Sequence, residues 1–94
     1  MPSIQTSAAG DGTFHVEVHD GAITTSHTVT VPPDLATALG WAPGREAALV
    51  EESFRFLLER EPATSILRRF SLEVIGDYFP EYRREMRRVS GDSG

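Results

Sequence analysis

Apolar residues recur at helical spacing most persistently over residues 45–61, R-E-A-A-L-V-E-E-S-F-R-F-L-L-E-R-E. At about 100° per residue, Ala47, Val50, Phe54, Leu57 and Leu58 form one stripe, with Leu49, Ser53 and Phe56 beside it. These positions take up more than half of the circumference. A surface helix needs only one apolar stripe, so this helix is expected to be covered on two sides. Glu51, Arg55 and Glu59, four apart, mark the remaining face, where opposite charges support a helix by about 0.2–0.5 kcal/mol per pair. Pro62 closes the segment, because the residue before a proline disfavours helical geometry.

Upstream the period changes to two. T-F-H-V-E-V-H places Phe14, Val16 and Val18 on one face and His15, Glu17 and His19 on the other, as in a half-buried strand. Asp20-Gly21 then predicts a hairpin, with T-T-S-H-T-V-T-V returning. With those two residues as the loop, His19 opposes Ala22 and His27 opposes Phe14. The inner face carries Ile23, Thr25, His27, Val29 and Val31, and the outer face carries Thr24, Ser26, Thr28 and Thr30. A longer loop shifts the pairing yet can keep this parity. Residues 1–12 offer only Ile4 as a sizeable apolar anchor, which predicts a flexible arm or a short edge strand.

Pro32-Pro33 stop the second strand; Asp34 is placed to cap a short helix over 35–39, and Gly40 to end it. Trp41 is expected to fold back on the core. Beyond Pro62, Ser65 and Ser71 are candidate caps for short helical turns, the first carrying Ile66, Leu67 and Phe70, the second reaching Phe79 past Gly76. Pro80 suits a first helical position, and E-Y-R-R-E-M-R-R makes a last helix with Tyr82 and Met86 on one side. The pattern predicts an α+β fold: an N-terminal antiparallel β-hairpin packed on a long central helix, followed by short C-terminal helices. The domain is expected over residues 13–88, with a flexible arm before it and a flexible tail at 89–94.

Composition narrows the chemistry more than it specifies it. Ninety-four residues without a cysteine exclude disulfides, thiolate catalysis and Cys-ligated zinc, and favour a cytoplasmic location. No apolar run approaches the ~20 residues of a membrane span, and the first residues lack the pattern of a signal peptide. The net charge is −5, divided as −6 over residues 1–62 and +1 over 63–94. That balance disfavours a broad phosphate-binding face, so nucleic acid is a possible but disfavoured partner.

Three histidines raise the question of a metal. His15 and His19 share a strand face, but four residues at ~3.3 Å separate them by about 13 Å, too far for one zinc whose ligands lie within ~2.1 Å. A solvated polar face is the simpler account, and no metal or cofactor is expected. His27, placed against the core, reads as a buried, hydrogen-bonded histidine. Glu51 and Glu52 diverge by about 100° on a helix and do not form an acid pair. No serine stands in a G-x-S-x-G context and no Gly-rich loop has phosphate-cradle spacing, so an enzyme is not expected. The arginines at 68, 69, 83, 84, 87 and 88 form the one basic cluster, interleaved with Glu81 and Glu85 as for intrahelical ion pairs. Aromatic residues and arginine are enriched at protein interfaces, which makes Tyr78, Phe79, Tyr82, Arg83 and Met86 the candidate partner-binding residues.

The segment S-F-R-F-L-L-E-R-E-P-A-T-S-I-L-R-R-F, with Y-F-P-E-Y after it, is similar to small bacterial proteins that bring no activity or site to carry over. Residues 29–46, V-T-V-P-P-D-L-A-T-A-L-G-W-A-P-G-R-E, more weakly resemble AbrB/MazE-like swapped-hairpin antitoxins, which dimerise and bind DNA through basic residues near the short helix. Here Asp34, Ala36 and Thr37 stand where those basic residues would be, and a long helix replaces the strand expected after Gly44. The region also resembles ribbon-helix-helix proteins, a likeness that would turn Ser26, Thr28 and Thr30 toward the DNA major groove; its first helix is short for that family. The leading expectation is a non-catalytic binding or regulatory module that acts through protein contacts and self-associates as a homo-oligomer. The alternative is an antitoxin-like DNA-binding regulator using the Ser26, Thr28 and Thr30 strand face of a dimer.

Overall fold

Two Asp-Gly dipeptides shape the first third of the chain. Gly12 and Gly21 have φ of +65° and +66°, the left-handed geometry that tight hairpins require and that side chains resist. Around them β1 (Ser3–Gly10), β2 (Thr13–Asp20) and β3 (Ile23–Thr30) form an antiparallel meander. The computed structural model describes residues 2–90 as a small α+β fold, one four-stranded sheet with four helices. The expected hairpin is therefore the second half of a meander. Of the two expectations for residues 1–12, the edge strand and not the flexible arm is what forms, eight residues long, with Ile4 opposite Val18 and Thr6 opposite Val16. Asp11-Gly12 turns it back, and the register slips between Ala8 and Gly10.

In the second hairpin Asp20 pairs with Ile23, so Gly21 and Ala22 are the loop. A positive φ at Gly21 alone is the pattern of a type II′ turn, not the expected I′. His27 consequently lies opposite Val16, not Phe14. The shift is two residues, so the faces keep their predicted parity. Phe14, Val16, Val18, His27 and Val29 are buried; Ile23, at the turn, is 51% exposed.

From β3 the chain passes through α1 (Leu35–Ala38), α2 (Glu46–Leu58) and a 3₁₀ turn (Ala63–Ser65) before β4 (Arg69–Ser71), which pairs parallel to β3. A parallel pair needs such a crossover. The sheet order is β1-β2-β3-β4. Strand β4 replaces the helical turn expected to carry Ile66, Leu67 and Phe70. Its backbone is recruited by β3: Thr28 N–H donates to Arg68 O at 2.6 Å and Leu72 N–H to Thr30 O at 3.0 Å. All three expected caps differ, Ser65 ending the 3₁₀ turn instead of starting a helix. Asp34 holds the N-cap position of α1 without a side-chain bond, and Ser71 Oγ is buried with no hydrogen-bond partner, α3 (Glu73–Tyr78) starting from Leu72.

On α2 the buried residues are Leu49, Val50, Ser53, Phe54, Phe56 and Leu57, an arc of about 160° at helical spacing. Ala47, predicted within the stripe, is exposed. The arc is nevertheless covered on two sides. Phe54 meets His27 and Phe70 on the sheet, at ring distances of 5.2 and 6.0 Å. Phe56 meets Phe79 and Tyr82 at 5.9 and 5.4 Å. On the solvent side Arg55 pairs with Glu51, as the four-residue spacing predicts, and also with Glu52, while Glu59 pairs with Arg60 instead of Arg55. The last helix, α4 (Tyr82–Ser90), is pinned by Trp41, whose Nε1–H donates to Met86 O at 3.0 Å. Val89 and Ser90, predicted in the flexible tail, end this helix, with Ser90 buried. The rest of that tail, 91–94, lies outside the described residues, as does Met1.

Candidate protein-interaction cleft

The five residues expected to bind a partner divide between core and surface. Tyr82 and Met86 are buried, which corrects their assignment as contact residues. Ser53 Oγ donates to Leu49 O at 2.8 Å, leaving its lone pairs to accept the Tyr82 hydroxyl at 2.7 Å. Burial is the chief cause that pushes the Tyr82 hydroxyl from its ordinary 10.0 up to about 12. Phe79 is half-buried, edge-on to Phe56. Tyr78 is 69% exposed, and Arg83 is exposed. Thus the helix α4 docks on the protein's own core, and only its outer arginines and the preceding Tyr78 face solvent.

Tyr78 and Phe79 border an open apolar cleft of roughly 400 Å³. The end of α2 supplies Leu57 and Glu61, the segment before β4 supplies Ile66 and Leu67, β4 supplies Phe70, and α3 supplies Val74 and Ile75. The chain dictates this arrangement locally. Ile66 has extended φ and ψ of −78° and 135°, a geometry in which neighbouring side chains point opposite ways. Ile66 turns in, 6% exposed, and Leu67 turns out, 52% exposed. At the far wall Phe79 leaves the helix with extended φ and ψ of −131° and 93°, separating its ring from that of Tyr78. Leu67, Phe70 and Glu61 were not anticipated as site residues; the usable signal was the adjacent apolar pair between Ser65 and Arg68, which cannot be buried on both sides.

His27 fixes one wall. A carbonyl can only accept, so His27 Nδ1–H donates to Leu67 O at 2.8 Å, and Nε2 shares a hydrogen bond with the Thr25 hydroxyl at 2.9 Å. The ring thus ties β3 to the segment that carries Leu67. The buried, hydrogen-bonded histidine expected from the sequence is what the structure has. Arg60 fixes the other end: its guanidinium lies 3.6 Å from the Phe56 ring centroid, donates to Phe56 O at 3.0 Å, and pairs with Glu81 at 3.1 Å. The Glu81 carboxyl is held below its usual range by its own backbone N–H and then by Arg60. Glu85 pairs with Arg88, which lowers its pKa likewise. Glu85–Arg88 is thus an intrahelical pair as expected, whereas Glu81, just before α4, instead reaches Arg60 just past α2.

Ser26, Thr28 and Thr30 share the outward polar face of the sheet, Ser26 and Thr30 exposed and Thr28 half-buried between His15 and Arg69. On the same face His19 Nε2 meets Glu17 at 2.8 Å and His19 Nδ1 meets Thr24 Oγ1 at 3.1 Å. Among the described residues no three histidine or acidic side chains converge as a metal site, and no helix is long and apolar enough to cross a membrane. Comparison with protein families, with curated proteins and with solved structures gives no match to this chain.

Proposed function

We propose that the chain is a non-catalytic binding module that acts through protein contacts, with α2 as its central rod and the cleft beside Tyr78 as its recognition surface. The observation that carries this reading is the pair of large apolar side chains, Leu67 and Tyr78, left open at the mouth of an apolar cleft. Open apolar surface of this kind is what partner anchors fill. Glu61 at the rim suits a partner with a cation next to its apolar anchor. Absence of cysteine fits a cytoplasmic setting.

Contact with duplex DNA through Ser26, Thr28 and Thr30 has less support. Four strands at ~4.8 Å spacing span about 14 Å between their outer axes, wider than a major groove of ~12 Å. Glu17 and a net charge of −5 also oppose phosphate contact. The test is co-purification from native lysate with wild type beside Leu67→Ser and Tyr78→Ala. A protein retained by wild type and lost with both variants, at unchanged thermal stability, is the expected result. Identical retention by all three, or salt-sensitive retention of duplex DNA alone, would refute the reading.

A further inference from the structure

We infer that the free edge of β1 is a self-association surface, on which a second copy of the chain adds its own β1 antiparallel to form a continuous eight-stranded sheet. The inference concerns a surface separate from the cleft and does not rest on binding there. It starts from the backbone groups. The two-residue loop makes Asp20 and Ile23 the closing hydrogen-bonded pair, so alternation bonds Val18 to Thr25, Val16 to His27 and Phe14 to Val29. The alternate residues His19, Glu17 and His15 then bond Ser3, Gln5 and Ser7 of β1. This phase is verified on the far side of β3, where Thr28 and Thr30 bond toward β4. By the same alternation Ile4, Thr6 and Ala8 aim their N–H and C=O groups away from the sheet, where β1 is the last strand.

Natural edge strands are guarded by lysine, proline, β-bulges, inward charge or shortness. In β1, eight residues long with the sequence S-I-Q-T-S-A-A-G, there is no charge and no internal proline, and the one irregularity, the register slip between Ala8 and Gly10, lies at the turn end beyond the stretch Ile4 to Ala8. Its inner face is also incompletely covered. Ile4 and Thr6 are half-buried and Ala8 is exposed, whereas their partners Val18, Val16 and Phe14 are buried. Two copies related by a two-fold axis are self-complementary at this edge. With Thr6 of one copy opposite Thr6 of the other, Ile4 faces Ala8 on the inner side and Gln5 faces Ser7 on the polar side. Three outward pairs supply about six interchain backbone hydrogen bonds. A slip that moves Ala8 toward Pro2 loses bonds, because proline has no N–H. The uncharged edge also lets two chains of net charge −5 meet where neither carries an ionised side chain.

Light scattering of the full chain across about a hundredfold range of concentration is expected to show a dimer. Thr6→Pro removes one outward donor without using any bond to β2, and is expected to weaken dimerisation at least tenfold with the far-UV spectrum retained. As the chain has no cysteine, Thr6→Cys gives a second readout. Hydrogen-bonded antiparallel pairs have Cα atoms about 5.5 Å apart, within disulfide reach, so oxidation should cross-link this variant and leave Ser26→Cys, which dimerises through the same edge, without a covalent link. A wild type that stays monomeric overturns the inference. So does a folded Thr6→Pro chain that dimerises like wild type, or Thr6→Cys cross-linking no faster than Ser26→Cys. Should Thr6→Pro fail to fold, the comparison of the two cysteine variants decides.

Discussion

Raising the pH above 10 should destabilise this protein through one hydroxyl. Tyr82 is buried and its folded-state pKa stands at about 12, against an ordinary 10.0. A raised folded value means that the unfolded chain loses the proton first. The stabilisation is therefore complete below pH 10 and is lost as pH climbs toward 12. By linkage the loss reaches about 2 kcal/mol at pH 12, a sizeable part of a small domain's stability. The window is unusually clean, because the chain contains no lysine and no cysteine, while arginine stays charged and the other tyrosine, Tyr78, is exposed. The comparison is with Tyr82→Phe, which forfeits the bond to Ser53, worth about 1 kcal/mol at any pH, but has no proton to lose. Wild type should be the more stable below pH 10, and the two stability curves should cross near ~pH 11. Urea titrations followed by Trp41 fluorescence, one per pH, would measure this, since Trp41 is buried against α4. If Tyr82→Phe and wild type lose stability in parallel from pH 9 to 12, the reasoning about the buried hydroxyl is wrong.

Three further outcomes follow from named contacts. His27→Ala removes both ring hydrogen bonds and leaves Leu67 O and a small void, so urea denaturation should report a loss of about 2–4 kcal/mol; less than ~1 would show that the ring is dispensable. Gly12→Ala and Gly21→Ala both force a side chain to positive φ, at about 1–2 kcal/mol, but only at Gly12 does the new Cβ come within 3.0 Å of Val31 O. Thermal unfolding should rank Gly12→Ala below Gly21→Ala. In the cleft, Ile66→Ala should cost about 2–5 kcal/mol and Leu67→Ala under ~0.5, as the first is buried and the second half exposed; equal losses would mean that Leu67 belongs to the core.

Periodicity made β2, β3 and α2 legible because each has enough turns or alternations for its face to be counted. The faces of the hairpin survived an error in its register, since a two-residue shift leaves parity intact. Strand β1 was open to the same treatment, because Asp11-Gly12 is the same turn signal as Asp20-Gly21. Its inner face, however, holds Ile4, Thr6 and Ala8, too small and polar to read as an apolar alternation. Strand β4 was not legible at all. Three residues, R-F-S, carry no period, and what makes them a strand is the pair of backbone bonds offered by Thr28 and Thr30. The misassigned site residues have a related cause. Tyr82 and Met86 sit among five arginine and glutamate neighbours on α4, a charged pattern that gives no sign of a buried face, yet those two side chains are what bury it. The decisive partner, Ser53, lies twenty-nine residues away and gives a polar residue on an apolar stripe a purpose only in three dimensions.

That dependence on distant partners also explains where the open surfaces fall. Each of the pairs Ile66-Leu67 and Tyr78-Phe79 is consecutive and non-helical at its junction, so one member turns to the core and the other must turn away. The chain could cover Leu67 and Tyr78 only with another element, and α4, the last one described, is already committed to Ser53, Phe56 and Trp41. At the opposite end of the sheet, β4 caps part of β3, while among the described residues no strand pairs with the outer edge of β1. The two surfaces thus differ in kind: one exposes side chains around a cleft and selects a partner by shape, whereas the other exposes backbone and selects any strand of matching length and low charge. A second copy of the same strand meets both conditions of the latter, and neither condition is relevant to the former, which is why the two are assigned to different partners.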